Sequence, residues 1–393
     1  MTEFDRSRAI SFQTCPRKRF YEFHHLGKGL QRKSKGLPLT FGAAFHAGAE
    51  ELLHGDVETA CYRGMKYLVD AFRDRTVGLD GETFSDEAWK YSAEEQVALV
   101  EALTRAWGLA RLPEFLETFD VIEVEREGRA NLTNDLVLLY RPDALVREKL
   151  SGDHYVVSWK STSYYSKRTL DAARVDMQSM SEVWGRLNDE NPPPSIEGVL
   201  YLFITKGQRK LDKWDGLYKQ QSKLIYGWAK VDTLKSEFPE WSWSYSWPKE
   251  DGSGESKLGK GWKLLPIWRD YPGGVKQWVQ DLHEQTVFPR HINALDEVFP
   301  QSLPVERRKD EVQRWKRQIQ GQETRIANWI AEFDGGPTSE IALDYTFPQT
   351  TSNCYTYNSP CAFLDVCFNN VPAEPGELYQ IRQSNHPEKG DEE

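Results

Sequence analysis

Asp143 and Lys160 are the residues of this sequence whose types and spacing best suit chemistry on a phosphodiester. A carboxylate can hold a divalent cation against the scissile phosphate, and a nearby ammonium can activate water or steady the charge that develops. Asp143 follows Tyr140-Arg141-Pro142, and Lys160 lies two residues beyond Ser158. If 143–147 and 155–159 are adjacent antiparallel strands, the two side chains come to the same end of a sheet. Taken alone, an Asp in a turn and a Lys at a strand end are ordinary surface residues. Their context strengthens them: Gly42, His46 and Glu50 recur at four-residue spacing on one helix face, Glu123, Glu125 and Glu127 form an acidic strand, and Gln178 lies on a helical stretch downstream.

Cysteine supplies the second constellation. Cys354, Cys361 and Cys367 form a C-x6-C-x5-C array on loop-like sequence, and Cys15 stands beside Pro16 near the other end of the chain. Cuboidal iron-sulfur clusters take four thiolates, which loops allow to converge. Zinc accepts the same ligands, although its four-cysteine sites usually show two CxxC knuckles, absent here. Cys61, on a helical stretch, reads as a core thiol. Five cysteines without a secretory leader argue against a disulfide framework.

These residues need elements to hold them. Residues 1–118 read as mainly helical: a short segment over 1–25 with Ser7 as a cap, then helices at 41–53, 58–73 and 85–118. Period-two runs at 121–127, 136–140, 143–147 and 155–159 predict strands, 170–187 a helix and 198–205 an apolar strand. Residues 119–234 thus form a core sheet with a helix. A Trp/Gly-rich stretch, 235–275, reads as a loop or hairpin insertion in which Trp241, Trp243, Tyr245 and Trp247 would share a strand face. Such a stripe can stack on bases but often only packs on a core. Residues 276–380 carry helices near 275–285 and 303–333 and the cysteine array, and 381–393 form an acidic tail.

The chain has 393 residues, 39% of them hydrophobic, enough apolar material for one large core or two. A formal charge of -10 argues against coating nucleic acid by bulk positive charge. Local basic patches remain candidates: Arg17, Lys18 and Arg19; Lys28, Arg32, Lys33 and Lys35; and Arg307, Arg308, Lys309, Arg314, Lys316 and Arg317. No stretch approaches the roughly 18 to 20 apolar residues of a membrane span, so the expected location is the cytoplasm, with no membrane partner. No P-loop is present, which argues against ATP-driven unwinding by this chain.

Taken in order, SFQTCPRKRFYEF, FGAAFHAGAE, VIEVERE, YRPDALV, VVSWKST, DMQSMSEVW, GVLYLFITK and the final cysteines resemble the PD-(D/E)XK nucleases of the RecB, AddB and CRISPR-adaptation exonuclease branch, phage-borne members included. The resemblance implies an α/β (α+β) restriction-endonuclease-like fold, a mixed central sheet flanked by helices. It also implies a [4Fe-4S] staple joining the N- and C-terminal regions through Cys15, Cys354, Cys361 and Cys367. It implies that His46 and Asp143 bind Mg2+ or Mn2+, with the Trp159 carbonyl an extra ligand, and that Lys160 assists hydrolysis. Gln178 matches the Gln of the family's QxxxY helix, with Glu182 in place of the Tyr.

Ser158 stands where the family has an acidic ligand. A hydroxyl is a neutral, weaker ligand, so metal affinity should fall unless a carboxylate elsewhere compensates, Glu125 being the best placed in sequence. The implied activity is that of a metal-dependent DNA exonuclease acting on linear ends or single strands in recombination, repair or phage DNA processing, beside a helicase or recombinase. The alternative is an inactive nuclease-fold protein that binds DNA or serves as a scaffold.

Overall fold

The computed structural model describes residues 2–74, 77–78, 86–211, 218–220, 298–300, 304–333, 340–356 and 359–382. The expected insertion at 235–275, its aromatic stripe, the helix near 275–285 and nearly all of the acidic tail lie outside them. In chain order the helices are α1 (Arg6–Thr14), α2 (Pro16–Phe23), α3 (Leu37–Leu53), α4 (Val57–Arg73), α5 (Asp86–Ala110), α6 (Leu112–Thr118), α7 (Lys167–Arg174), α8 (Met177–Leu187), α9 (Lys309–Phe333), α10 (Glu340–Thr346) and α11 (Leu364–Phe368). The strands are β1 (Thr2–Asp5), β2 (Leu30–Arg32), β3 (Lys35–Gly36), β4 (Val77–Gly78), β5 (Phe119–Val124), β6 (Gly128–Asn131), β7 (Leu136–Tyr140), β8 (Ala144–Glu148), β9 (His154–Thr162), β10 (Gly198–Thr205), β11 (Arg209–Leu211), β12 (Tyr218–Gln220), β13 (Val305–Glu306), β14 (Tyr355–Thr356), β15 (Ser359–Pro360) and β16 (Tyr379–Ile381).

The central sheet has the order β13-β10-β9-β8-β5. Its β9–β10 pair is parallel and the other pairs are antiparallel, so the sheet is mixed. Alternation along its strands splits the core in two. Ala144, Val146, Val157, Trp159, Leu200, Leu202 and Ile204 face the helical layer of α3, α4 and α5. Leu145, Val156, Val199, Tyr201 and Phe203 face the opposite layer, where α8 and α9 bring Val183, Trp184, Val312, Trp315 and Ile319. A run of buried residues in β10 is what a strand covered on both faces requires.

Helix α3 is tightly seated because its small residues admit close neighbours. A Cβ at Gly48 would stand 2.6 Å from the Ala60 carbonyl oxygen of α4, and one at Gly42 would stand 3.4 Å from Ser161 Oγ of β9. The His46 face of α3 is thereby held over the end of β9.

The structure departs from the sequence reading at several elements. Asp5, not Ser7, caps α1, its carboxylate accepting from the Arg8 N–H at 2.8 Å. The single helix expected over 170–187 is two, because the Asp176 side chain accepts from the Gln178 N–H and starts α8 afresh. The helix expected over 85–118 breaks at Arg111, and the long C-terminal helix begins at Lys309. Strand β7 leaves the central sheet for a three-stranded one, order β1-β7-β6, in which it pairs in parallel with β1.

The proposed basic patches fare unevenly. Arg17 and Arg19 are buried; Arg17 donates to the Phe347 carbonyl and pairs with Asp344, while Arg19 pairs with the buried Glu323 at 3.0 Å. Arg307 is buried too, donating to the Ala173 and Arg174 carbonyls, Ser179 Oγ and Tyr201 Oη. These three are structural guanidinium groups. Arg308 and Arg314 remain exposed, beside Asp310.

Candidate functional site

Because β8 and β9 run antiparallel with Ala144 opposite Val157, Asp143 at the start of one reaches Trp159 on the other. The Trp159 N–H donates to Asp143 Oδ2 at 2.6 Å. The Trp159 ring is buried among Phe45 and Trp107, so this bond is fixed from the core side. The other Asp143 oxygen lies 3.3 Å from His46 Nδ1. Burial opposes charge on both groups, yet each holds the other charged: the His46 pKa is above its ordinary value and that of Asp143 below.

Glu125 completes a triad. One ligand atom each from His46, Glu125 and Asp143 lies within 4.8 Å of the other two. Just past the end of β5, its N–H donates to the Asp143 carbonyl at 3.0 Å, and its backbone takes the left-handed value φ 44°. That conformation is uncommon for a residue with a side chain and persists where surrounding bonds enforce it. Burial, with Asp143 and Glu50 adding to it and Arg141 opposing, raises the Glu125 pKa. The other two glutamates of the acidic strand are engaged elsewhere: Glu123 takes a two-bond clasp from Arg186, and Glu127 lies 3.7 Å from Arg141. One imidazole and two carboxylates form a donor set suited to Mn2+ or Mg2+, and a cation there would relieve the crowding of negative charge.

Lys160 sits inside β9, which continues to Thr162. Its ammonium donates to Gln178 Oε1, lies 3.7 Å from Asp176 Oδ2, and is 6.0 Å from the centre of the Tyr201 ring. Gln178 Nε2 in turn donates to Glu182 Oε1 at 2.8 Å, and Arg6 approaches the same oxygen at 3.2 Å. Glu182 is almost wholly buried, and burial pushes its pKa up to about 7. In sequence Glu182 is only a mismatch to a motif, because its burial and partners depend on α1 and β9.

Ser158, two residues before Lys160, shares its strand face. It is fully buried and its hydroxyl makes no hydrogen bond, a state that costs free energy in an apolar setting. Glu182 Oε2 is likewise without a hydrogen bond.

Cys15, Cys354, Cys361 and Cys367 line one small cavity with Lys18, Phe363 and Leu364. Cys15 occupies the junction of α1 and α2, where Pro16 starts the second helix. The Thr350 N–H donates to Cys15 Sγ at 3.4 Å, and the Cys361 N–H to the Cys354 carbonyl at 2.7 Å. Burial raises the Cys367 pKa to about 11, Arg17 opposing and the other three thiols adding to the rise. These four cysteines are free thiols that share one cavity, with a backbone N–H directed at the Cys15 sulfur. Cys61 lies apart in the first core, its thiol donating to the Glu101 carbonyl.

A family profile of the PD-(D/E)XK nuclease superfamily matches residues 6–368. The chain belongs to this superfamily of phosphodiester-cleaving nucleases, and its mixed sheet flanked by helices fits that fold. No curated protein matches it. Among the described residues, no helix is long and apolar enough to cross a membrane.

Proposed function

We propose that this protein is a Mg2+- or Mn2+-dependent DNA exonuclease of the RecB/AddB-like branch, acting on linear ends or single strands in recombination, repair or phage DNA processing in the cytoplasm. The observation that carries this reading is the convergence of His46, Glu125 and Asp143 beside Lys160. His46, Glu125 and Asp143 hold the cation, Glu125 supplying the charge that Ser158 does not, and the Trp159 carbonyl is a further ligand. A cation held by these residues would supply polarisation of the phosphate and activation of water. Lys160, oriented by Gln178, stabilises charge on the phosphate oxygens. Cys15, Cys354, Cys361 and Cys367 hold a [4Fe-4S] cluster that staples the chain ends, and a helicase or recombinase presents the DNA. The test is degradation of end-labelled single- and double-stranded DNA with Mn2+ or Mg2+, using Asp143→Ala as control; intact substrate at high enzyme would sink it.

The buried, unbonded hydroxyl of Ser158 favours a second reading, a nuclease fold retained for binding DNA or for scaffolding. DNA binding without cleavage in the same assay identifies it.

A further inference from the structure

A primary amide offers one accepting and one donating end, and its orientation is set by what lies at each. An ammonium only donates and a carboxylate only accepts. Gln178 lies between one of each: Lys160 Nζ donates to Oε1, and Nε2 donates to Glu182 Oε1. Arg6 fixes the far end by pairing with the same Glu182 oxygen. Donation therefore converges on Glu182: Lys160 of β9 donates to Gln178 and Gln178 to Glu182, one helical turn on along α8, while Arg6 of α1 donates to the same carboxylate oxygen. Reversing the amide would set two donors against each other at Lys160 and two acceptors at Glu182.

We infer that Glu182 is a positioning residue, acting through the Gln178 amide to hold the Lys160 ammonium in its working place. This rests on the nuclease reading and deepens it. Glu182 contributes no ligand atom to the His46, Glu125 and Asp143 triad, so its effect is expected chiefly on Lys160.

The test compares the wild-type chain with Glu182→Gln, Gln178→Glu and the double variant, by cleavage of end-labelled single-stranded DNA with Mn2+ and by Mn2+ binding followed by electron paramagnetic resonance. Glu182→Gln frees the amide to turn over and should lower kcat by about 10- to 100-fold, the scale of a misplaced catalytic group. Its Mn2+ affinity should stay within about twofold of wild type. The double variant restores a fixed donor order by moving the acceptor from 182 to 178: Arg6 donates to the residue-182 carbonyl, and the residue-182 amide and Lys160 both donate to the carboxylate at 178. It should therefore recover at least about tenfold of the rate lost. A Glu182→Gln rate near wild type, a double variant no faster than the single, or Mn2+ affinity falling with the rate overturns the inference. Acylation of Lys160, measured by mass spectrometry against the other lysines, gives a readout independent of cleavage. It should quicken in Glu182→Gln and slow again in the double variant. Unchanged labelling overturns the inference, whereas a wild-type chain that never cleaves overturns only the nuclease reading.

Discussion

The Glu125 N–H donates to the Asp143 carbonyl, so the two carboxylates are tied to each other through the main chain before any cation arrives. Main-chain freedom therefore contributes little to the cost of gathering them, and removal of either should be felt mainly as lost metal binding.

Asp143→Ala is expected to abolish cleavage and to weaken Mn2+ binding by about 100-fold or more, and Glu125→Gln by about 10- to 100-fold. Calorimetric titration of the metal checks both. Equal affinity in Glu125→Gln and wild type would show that Glu125 is not a ligand.

Ser158→Asp places a carboxylate beside Lys160 on the same strand face. Without metal the chain should lose stability, since the desolvation of a buried carboxylate can exceed what a neighbouring ammonium returns. With Mn2+ it should regain that loss and bind the ion about tenfold more tightly than wild type. Melting curves with and without Mn2+ test this, and a metal-induced rise no larger than that of wild type counts against it.

Glu182 links stability to pH. Its carboxyl has a pKa of about 7 in the folded chain against an ordinary 4.5. Between those values the folded state holds a proton that the unfolded state has released. The carboxyl's contribution is thus fully present below the lower value and lost as pH rises through the upper one. A difference of that size corresponds to roughly 3 kcal/mol at most. Glu182→Gln should therefore be more stable than wild type at about pH 8 and no more stable at about pH 4, even as it impairs cleavage. Urea unfolding midpoints at the two pH values measure this, and identical pH trends for both proteins would refute it.

Gly48→Ala should destabilise the fold by about 1–3 kcal/mol, because the new methyl meets the Ala60 carbonyl and neither backbone can yield freely. Chemical denaturation reads the effect directly; a loss below experimental error would mean that α3 and α4 can part.

What the sequence made legible was local. Strands 136–140 and 198–205 were read with their observed bounds because apolar residues and turn residues mark their ends. The partner of β7 was not legible, since pairing with β1 joins residues distant along the chain. The break between α7 and α8 was missed because the apolar period continues across Val175-Asp176, although Asp176 followed by Met177 is a cap signal in retrospect. At the site, His46 was visible from its helical spacing. Glu125 was already the sequence's candidate for the missing carboxylate; hidden from the sequence were the engagement of Glu123 by Arg186 and the burial of Glu182 by elements far away in the chain.

Arg19 and Glu323 form a buried pair across almost the whole chain, and β2 pairs with β16 nearby. Synthesis delivers α2 well before the Asp344 and Glu323 that let it bury its guanidinium groups. Helix α2 therefore locks only after the later partners have been made. Until then Phe20 and Phe23 lack much of their cover and are open to chaperones or to association with another chain. Closure of so long a loop also makes this step slow. A chain cut short before α9 would thus be recognisable by the unsealed turns of α2.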